Sequence, residues 1–201
     1  MKKHNVLRSL QSFALFPILA ANLILPGGMN KLPTAAVLMS GQNGPLIADV
    51  ADNKQKAHDE EVKKIDAYLS DKGMPLAGHG EQLVTAAEKN NLDWTLVTAV
   101  AVRESTGGKH ACKNPIAPNN YWGWSSCHSG FDSLETGIDK ISAHLGGNIE
   151  STARYYKGKD IEGILATFNP PKIVPEYVSQ VKAIMQTIKD YPVDGDAVAT
   201  S

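Results

Sequence analysis

One nearly unbroken apolar run does most to limit what this chain can fold into. Trp94, Leu96, Val97, Ala99, Val100, Ala101 and Val102 are interrupted only by two threonines. Asp93 precedes the run as a candidate N-cap, and Gly107-Gly108 closes it. The segment therefore predicts a helix, and one apolar almost all round belongs in the middle of a domain. Near its end stands a single acid, Glu104, between Arg103 and Ser105. A helix C-terminus disfavours a carboxylate through its dipole, so a merely structural role is unnatural there. From residue 106 to residue 131 the chain has no Asp or Glu. That stretch carries Lys109, His110, Lys113, His128, Tyr121, Trp122, Trp124 and both cysteines. A carboxyl carried by an apolar helix into aromatic, acid-free surroundings is expected to keep its proton near neutral pH, because desolvation disfavours the charged form. Such a group is suited to general-acid chemistry.

The rest reads as helices around that centre. Residues 60–72 place Val62, Ile65, Tyr68 and Leu69 on one face, and residues 81–90 turn Leu83, Val84, Ala86 and Ala87 inward. After residue 131, Leu134, Ile138, Ile141 and Leu145 mark another helix, with Asp132 or Ser133 as its cap. Short helices follow near residues 152–156 and 161–167. A last helix over 175–189 carries Tyr177, Val178, Val181, Ile184, Met185 and Ile188. Residues 109–130 are too irregular for a helix and read as a long functional loop with room for a small hairpin. The expected fold class is all-α, α+β at most, with one irregular lobe.

The 201 residues hold one ordinary domain, and the start of the chain does not read as part of it. Lys2, Lys3 and Arg8 precede an uncharged apolar run over 12–25, closed by Pro26-Gly27-Gly28. Residues 1–28 read as an export signal, with an uncleaved membrane anchor as the alternative. The run is shorter than the roughly 20 residues a spanning helix wants. Residues 29–55 read as a flexible spacer, 56–190 as the domain and 191–201 as a fraying tail. A net charge of -1 argues against a dedicated nucleic-acid binder. In an exported protein, Cys112 and Cys127 are most simply a disulfide. A metal site built from His110, Cys112, Cys127 and His128 is the rival, but it lacks the usual ligand spacing. No metal or cofactor is expected.

Arg103-Glu104-Ser105 at the end of a buried helix, Asn119-Asn120-Tyr121-Trp122-Gly123-Trp124 in the loop, and Ala166-Thr167-Phe168-Asn169 later form an ordered set. With Tyr177 in the last helix, the set resembles the lysozyme superfamily, specifically lytic transglycosylase-like and N-acetylglucosaminidase-like peptidoglycan-cleaving domains. The likeness spans about residues 65–188. Two departures stand out. The loop carries no Gly-Leu-Met-Gln element, and Phe168 and Pro170 replace the usual Tyr and Ala of the later motif.

The resemblance implies a lysozyme-like helical domain that cleaves β-1,4 glycosidic bonds of bacterial cell-wall glycan strands. Glu104 would be the catalytic acid. Ser105, Asn120, Tyr121, Trp122, Trp124, Asn169 and Tyr177 would bind substrate. Each has a plainer reading as well: packing for the tryptophans, a turn for Asn169, a helix end for Ser105. A two-carboxylate glycosidase needs a second acid roughly 5–10 Å from the first. Asp132 and Glu135 are the nearest candidates, and both read more simply as residues that open the next helix. A one-acid, transglycosylase-like enzyme is therefore expected, acting as an exported monomer that meets a membrane only through a retained N-terminal segment. An N-acetylglucosaminidase-type hydrolase and a non-catalytic glycan-binding protein of lysozyme shape remain the alternatives.

Overall fold

The computed structural model describes residues 44–193. Among them lie seven α-helices and no strand: α1 (Gly44–Asp71), α2 (Gly80–Lys89), α3 (Leu96–Ser105), α4 (Leu134–Leu145), α5 (Glu150–Tyr156), α6 (Ile161–Phe168) and α7 (Tyr177–Lys189). The class is all-α, and the loop before α4 contains a short 3-10 turn, Trp124–Cys127, in place of a hairpin.

As its composition requires, α3 is central. Every residue from Leu96 to Ala101 is buried, and the helix packs against α7, α2 and α4. Ile65 and Leu69 of α1, Leu83 of α2, Ile138, Ile141 and Leu145 of α4, Leu165 of α6 and Val181 and Ile188 of α7 belong to the same core, each 0% exposed. Burying a side chain of this size contributes about 1.5–3 kcal/mol, so the apolar faces alone dictate how these helices associate.

Three boundaries differ from the sequence reading. Helix α1 begins at Gly44, so residues 44–55 of the expected spacer are helical, while 29–43 and the export segment lie outside the described residues. Residues 49–57 of this helix are exposed all round. With nothing to pack against, the sequence shows no apolar stripe there. At the other end, Tyr191 was assigned to the tail but is anchored. Its ring meets Tyr68 edge-on at 5.4 Å and its hydroxyl donates to Asp71 Oδ2 at 2.6 Å. Finally, Asp93 is not the N-cap of α3; Thr95 holds that position. Asp93 Oδ1 instead accepts from Thr95 N–H at 3.0 Å and Thr95 Oγ1 at 2.6 Å, shaping the turn before the helix.

The C-terminal end of α3 aims the chain into the lobe. Thr106 takes a left-handed conformation (φ 55°), and the N–H groups of Thr106 and Gly107 return to Val102 and Ala101 carbonyls. Gly108 follows at φ +104°, where an added Cβ would lie 2.4 Å from the Tyr121 ring. Only glycine satisfies both the dihedral and the approach.

Candidate active site

The lobe over residues 106–133 is held by three devices. Ser105, 3% exposed, donates its hydroxyl toward Ala101 O (3.1 Å) and Tyr121 O (2.7 Å) and accepts from Gly108 N–H (2.9 Å). Asn120, fully buried, accepts from the Trp122 and Trp124 N–H groups on Oδ1 and donates to the Trp124 and Ser129 carbonyls through Nδ2. The Cys112–Cys127 disulfide spans the lobe with Cα atoms 5.6 Å apart. That bond uses the thiols a metal site would have needed, and no cluster of metal-binding groups occurs among the described residues. A disulfide also belongs to an oxidising, extracytoplasmic setting.

These devices stabilise an unfavourable backbone. Ser125, Ser126 and Cys127 all have φ between 51° and 59°, a left-handed turn of three L-residues following Gly123 at φ +61°. Left-handed conformation costs an L-residue roughly 1–2 kcal/mol. The turn forms one wall of a groove of about 360 Å³, lined by Gly123, Trp124, Ser125, Ser126, Tyr156 and Phe168.

Glu104 lies against Gly123, one of the residues of that lining: a Cβ added there would stand 3.3 Å from Glu104 Oε2. The other oxygen, Oε1, is buried and has no hydrogen-bond partner, and the same is true of the Tyr177 hydroxyl. Glu104 forms no ion pair within the described residues. The adjacent Arg103 donates instead to Gln180 Oε1 at 2.7 Å and lies over the Tyr177 ring at 5.7 Å. Tyr177 is fully buried, and its ring stacks on Phe168 at 6.1 Å. Burial, and then the neighbouring Glu104 carboxyl, push its phenol far above the ordinary value. The Glu104 carboxyl is therefore a neighbour of the Tyr177 phenol, although the sealed atoms of the two groups have no hydrogen-bond partner.

Trp124 gives the groove its aromatic wall. One face stacks on His144 with centroids 4.6 Å apart, and Phe168 lies 6.0 Å away. Thr152 Oγ1 is 2.8 Å from His144 Nδ1 and fixes the ring. Burial, then the charge of Lys140, hold His144 below the usual imidazole value.

The structure thus brings Glu104, Trp124 and Tyr177 together and gives other expected site residues different work. Trp122 is fully buried, its indole donating to Val97 O at 3.0 Å, and it offers no face to a ligand. Asn120 and Ser105 spend their polar atoms inside the lobe and act as its fasteners. Tyr121 is half-buried, packed against Gly108 and Trp122. Asn169 is half-buried at the C-terminal end of α6, next to Phe168. Asp132 and Glu135 are exposed, and neither lines the groove. Hydrogen bonds from Ser133 and from its own N–H lower the pKa of Glu135, which stands 3.9 Å from His79.

Sequence reasoning passed over His144, Tyr156 and the two serines of the left-handed turn. Only Gly123 signalled that turn, since Ser-Ser-Cys has no intrinsic preference for positive φ. Compared with known proteins, the chain matches no family profile, no curated protein and no solved structure.

Proposed function

We propose that this protein cleaves β-1,4 glycosidic bonds of peptidoglycan by a one-acid, transglycosylase-like route, with Glu104 as both acid and base. The carrying observation is the Glu104 carboxyl: one oxygen is sealed without a partner, and the other lies against Gly123, which lines the aromatic groove. A buried polar oxygen left unpaired costs about 1–3 kcal/mol, a sacrifice that makes sense where a substrate or a proton completes it.

In its acid form Glu104 protonates the bridging oxygen, and the bond between that oxygen and the sugar C1 breaks. Positive charge at C1 is met by the oxygen of the sugar's own N-acetyl group. Glu104, now a carboxylate, then takes the proton of the 6-hydroxyl. O6 bonds to C1 as the acetamido oxygen leaves, giving a 1,6-anhydro end. Tyr177, kept protonated by its burial, is placed to donate to the carboxylate once the proton has gone. Trp124 offers a flat apolar wall to the C–H face of a sugar. The exposure of Asp132 and Glu135 outside the groove supports the single acid over a two-carboxylate hydrolase. The disulfide and the basic, apolar start of the chain suit export to the compartment where the glycan lies.

Mass analysis of the fragments released from purified sacculi tests the reading. Ends lighter by one water than hydrolysed muropeptides are the expected result. Hydrolysed ends would move the chemistry to a glucosaminidase-type enzyme, and no release at all would leave a glycan-binding protein.

A further inference from the structure

Tyr156 ends α5 and is 6% exposed, yet it belongs to the wall of the groove together with Trp124 and Phe168. Its neighbour Tyr155 is turned to solvent, 45% exposed, with Arg154 over its ring at 4.5 Å. The Tyr156 hydroxyl makes no hydrogen bond within the described residues. It is not sealed in the way the Tyr177 hydroxyl is, so its oxygen retains some access to solvent. Tyr177, whose ring stacks on Phe168 of the same wall, has Tyr156 among the neighbours that raise its phenol. A tyrosine this buried ordinarily finds a partner for its hydroxyl. Tyr156 lines this groove and, on another side, a hollow that includes Asn90, Asn148 and Gly158.

We infer that Tyr156 is a further substrate-contacting residue, whose hydroxyl donates a hydrogen bond to the acetamido oxygen of an amino sugar seated against Trp124. The inference rests on the glycan-cleaving reading and adds the group by which the groove selects N-acetylated sugars. Three features of the site support that assignment. The phenol is pushed by burial up to about 12, so it remains a donor throughout the physiological range. The side chains that line the groove are aromatic or hydroxyl-bearing, with the Glu104 carboxyl behind Gly123, which suits a neutral acceptor. Trp124, Phe168 and Tyr156 also leave an apolar surface around a single polar tip, the arrangement that fixes the orientation of a small ligand.

Tyr156→Phe removes only the hydroxyl, and three measurements on the full oxidised chain decide the matter. Thermal unfolding should show an unchanged or higher midpoint, because no internal hydrogen bond is lost. Binding of tri-N-acetylchitotriose, followed by tryptophan fluorescence, should weaken roughly five- to tenfold, the worth of one hydrogen bond. The fully deacetylated trimer should bind the wild type more weakly than the acetylated one, and Tyr156→Phe should erase most of that difference. A lower unfolding midpoint with unchanged binding would make the hydroxyl structural and overturn the inference. Equal loss of affinity for both trimers would overturn the assignment to the acetamido group. A wild type that binds neither trimer would bring down the glycan reading itself, and the inference with it. Good wild-type binding that the variant fully retains would remove the inference alone.

Discussion

The two ends of α3 treat a carboxylate in opposite ways. Before its first turn, Asp93 is saturated: Thr95 donates twice to one oxygen and Lys189 Nζ pairs with the other at 2.6 Å. At its last turn Glu104 has a buried oxygen that nothing satisfies. The helix lies in one apolar core throughout, so hydrophobicity does not account for the contrast. Supply of donors does. Where the chain folds back on itself, at the junction of α3 and α7, backbone and lysine donors complete the acid. Where it runs out into the lobe, Arg103 turns to Gln180 and the lobe spends N–H donors on Asn120 and Ser105. A saturated carboxylate contributes stability, and an unsatisfied one contributes a reactive group at a stability cost.

The contrast breaks most directly at Glu104. Glu104→Gln should lower glycan cleavage by about 10²–10⁴-fold, the usual worth of a general acid, without lowering the unfolding midpoint. Asp132→Asn and Glu135→Gln should each cost far less. Near-normal cleavage by Glu104→Gln, measured on purified sacculi, would show that the starved carboxyl is idle.

The lobe end also depends on a cross-link that the other end lacks. Replacing Cys112 and Cys127 with alanine opens a loop with a sequence separation of 15, for which chain entropy predicts a loss of about 3 kcal/mol. Hydrogen exchange should rise across residues 106–130, including the left-handed turn, and far less at the Asp93 end of α3. Uniform loosening of both ends would mean that the lobe is not a separate source of order.

Asp93→Asn tests the saturated end. Removing the charge from a carboxylate held by Lys189 and Thr95 should cost about 1–3 kcal/mol, with glycan cleavage nearly unchanged below the melting range. The pH dependence follows from the same contacts. Burial works to raise the pKa of Asp93, but the hydrogen bonds from Lys189 and Thr95 and the lysine charge outweigh it, so the folded value lies below the ordinary 3.8. A depressed folded value means that the contribution is present above 3.8 and lost as the pH falls through the folded value. Acid unfolding of the wild type should therefore steepen below pH 4, and Asp93→Asn should lack that component.

The same distinction between satisfied and unsatisfied groups governs what the sequence could reveal. Helices α2 to α7 were legible to within a few residues: α2, α4 and α7 bury stripes spaced by three and four, α3 is apolar nearly all round, and the short α5 and α6 lie between Gly and Pro breakers. Glu104 was legible because an acid at the end of an apolar helix conflicts with both dipole and core. Residues 44–55 were not, since an exposed helix needs no stripe. Trp122 and Trp124, two residues apart, cannot be sorted into core and groove by composition; the Asn120 bracket and the Gly123 turn do that, through contacts remote from any periodicity. His144 and Tyr156 were hidden for a related reason. Neither belongs to an apolar stripe read from the sequence, and only the position of the lobe sets them beside Trp124 and the groove.

A smaller effect is expected where charges are satisfied at the surface, at His58 on α1. Its imidazole nitrogens lie 3.2 Å from Glu81 Oε1 and 3.4 Å from Glu88 Oε1 on α2, and its side chain is 12% exposed. Burial works against the charged ring, but the hydrogen bonds and charges of the two glutamates prevail and raise its pKa above the ordinary 6.5. The sign is therefore opposite to that of Asp93. The stabilisation is fully present below pH 6.5 and lost as the pH rises through the higher folded value. Glu81 is 73% exposed, so screening keeps the contribution below about 1 kcal/mol, which for a domain of this size is a midpoint shift of roughly 2–4 °C. Between pH 5.5 and pH 8.5 the wild type should lose this increment relative to His58→Gln, while cleavage rates of the two proteins stay parallel at every pH. Salt should shrink the difference, because the pair lies at the surface. A gap that widens with rising pH would reverse the assigned shift. A variant that changes the rate profile without changing the melting would place α1 in contact with the groove, and the division between stabilising and reactive carboxylates would no longer hold.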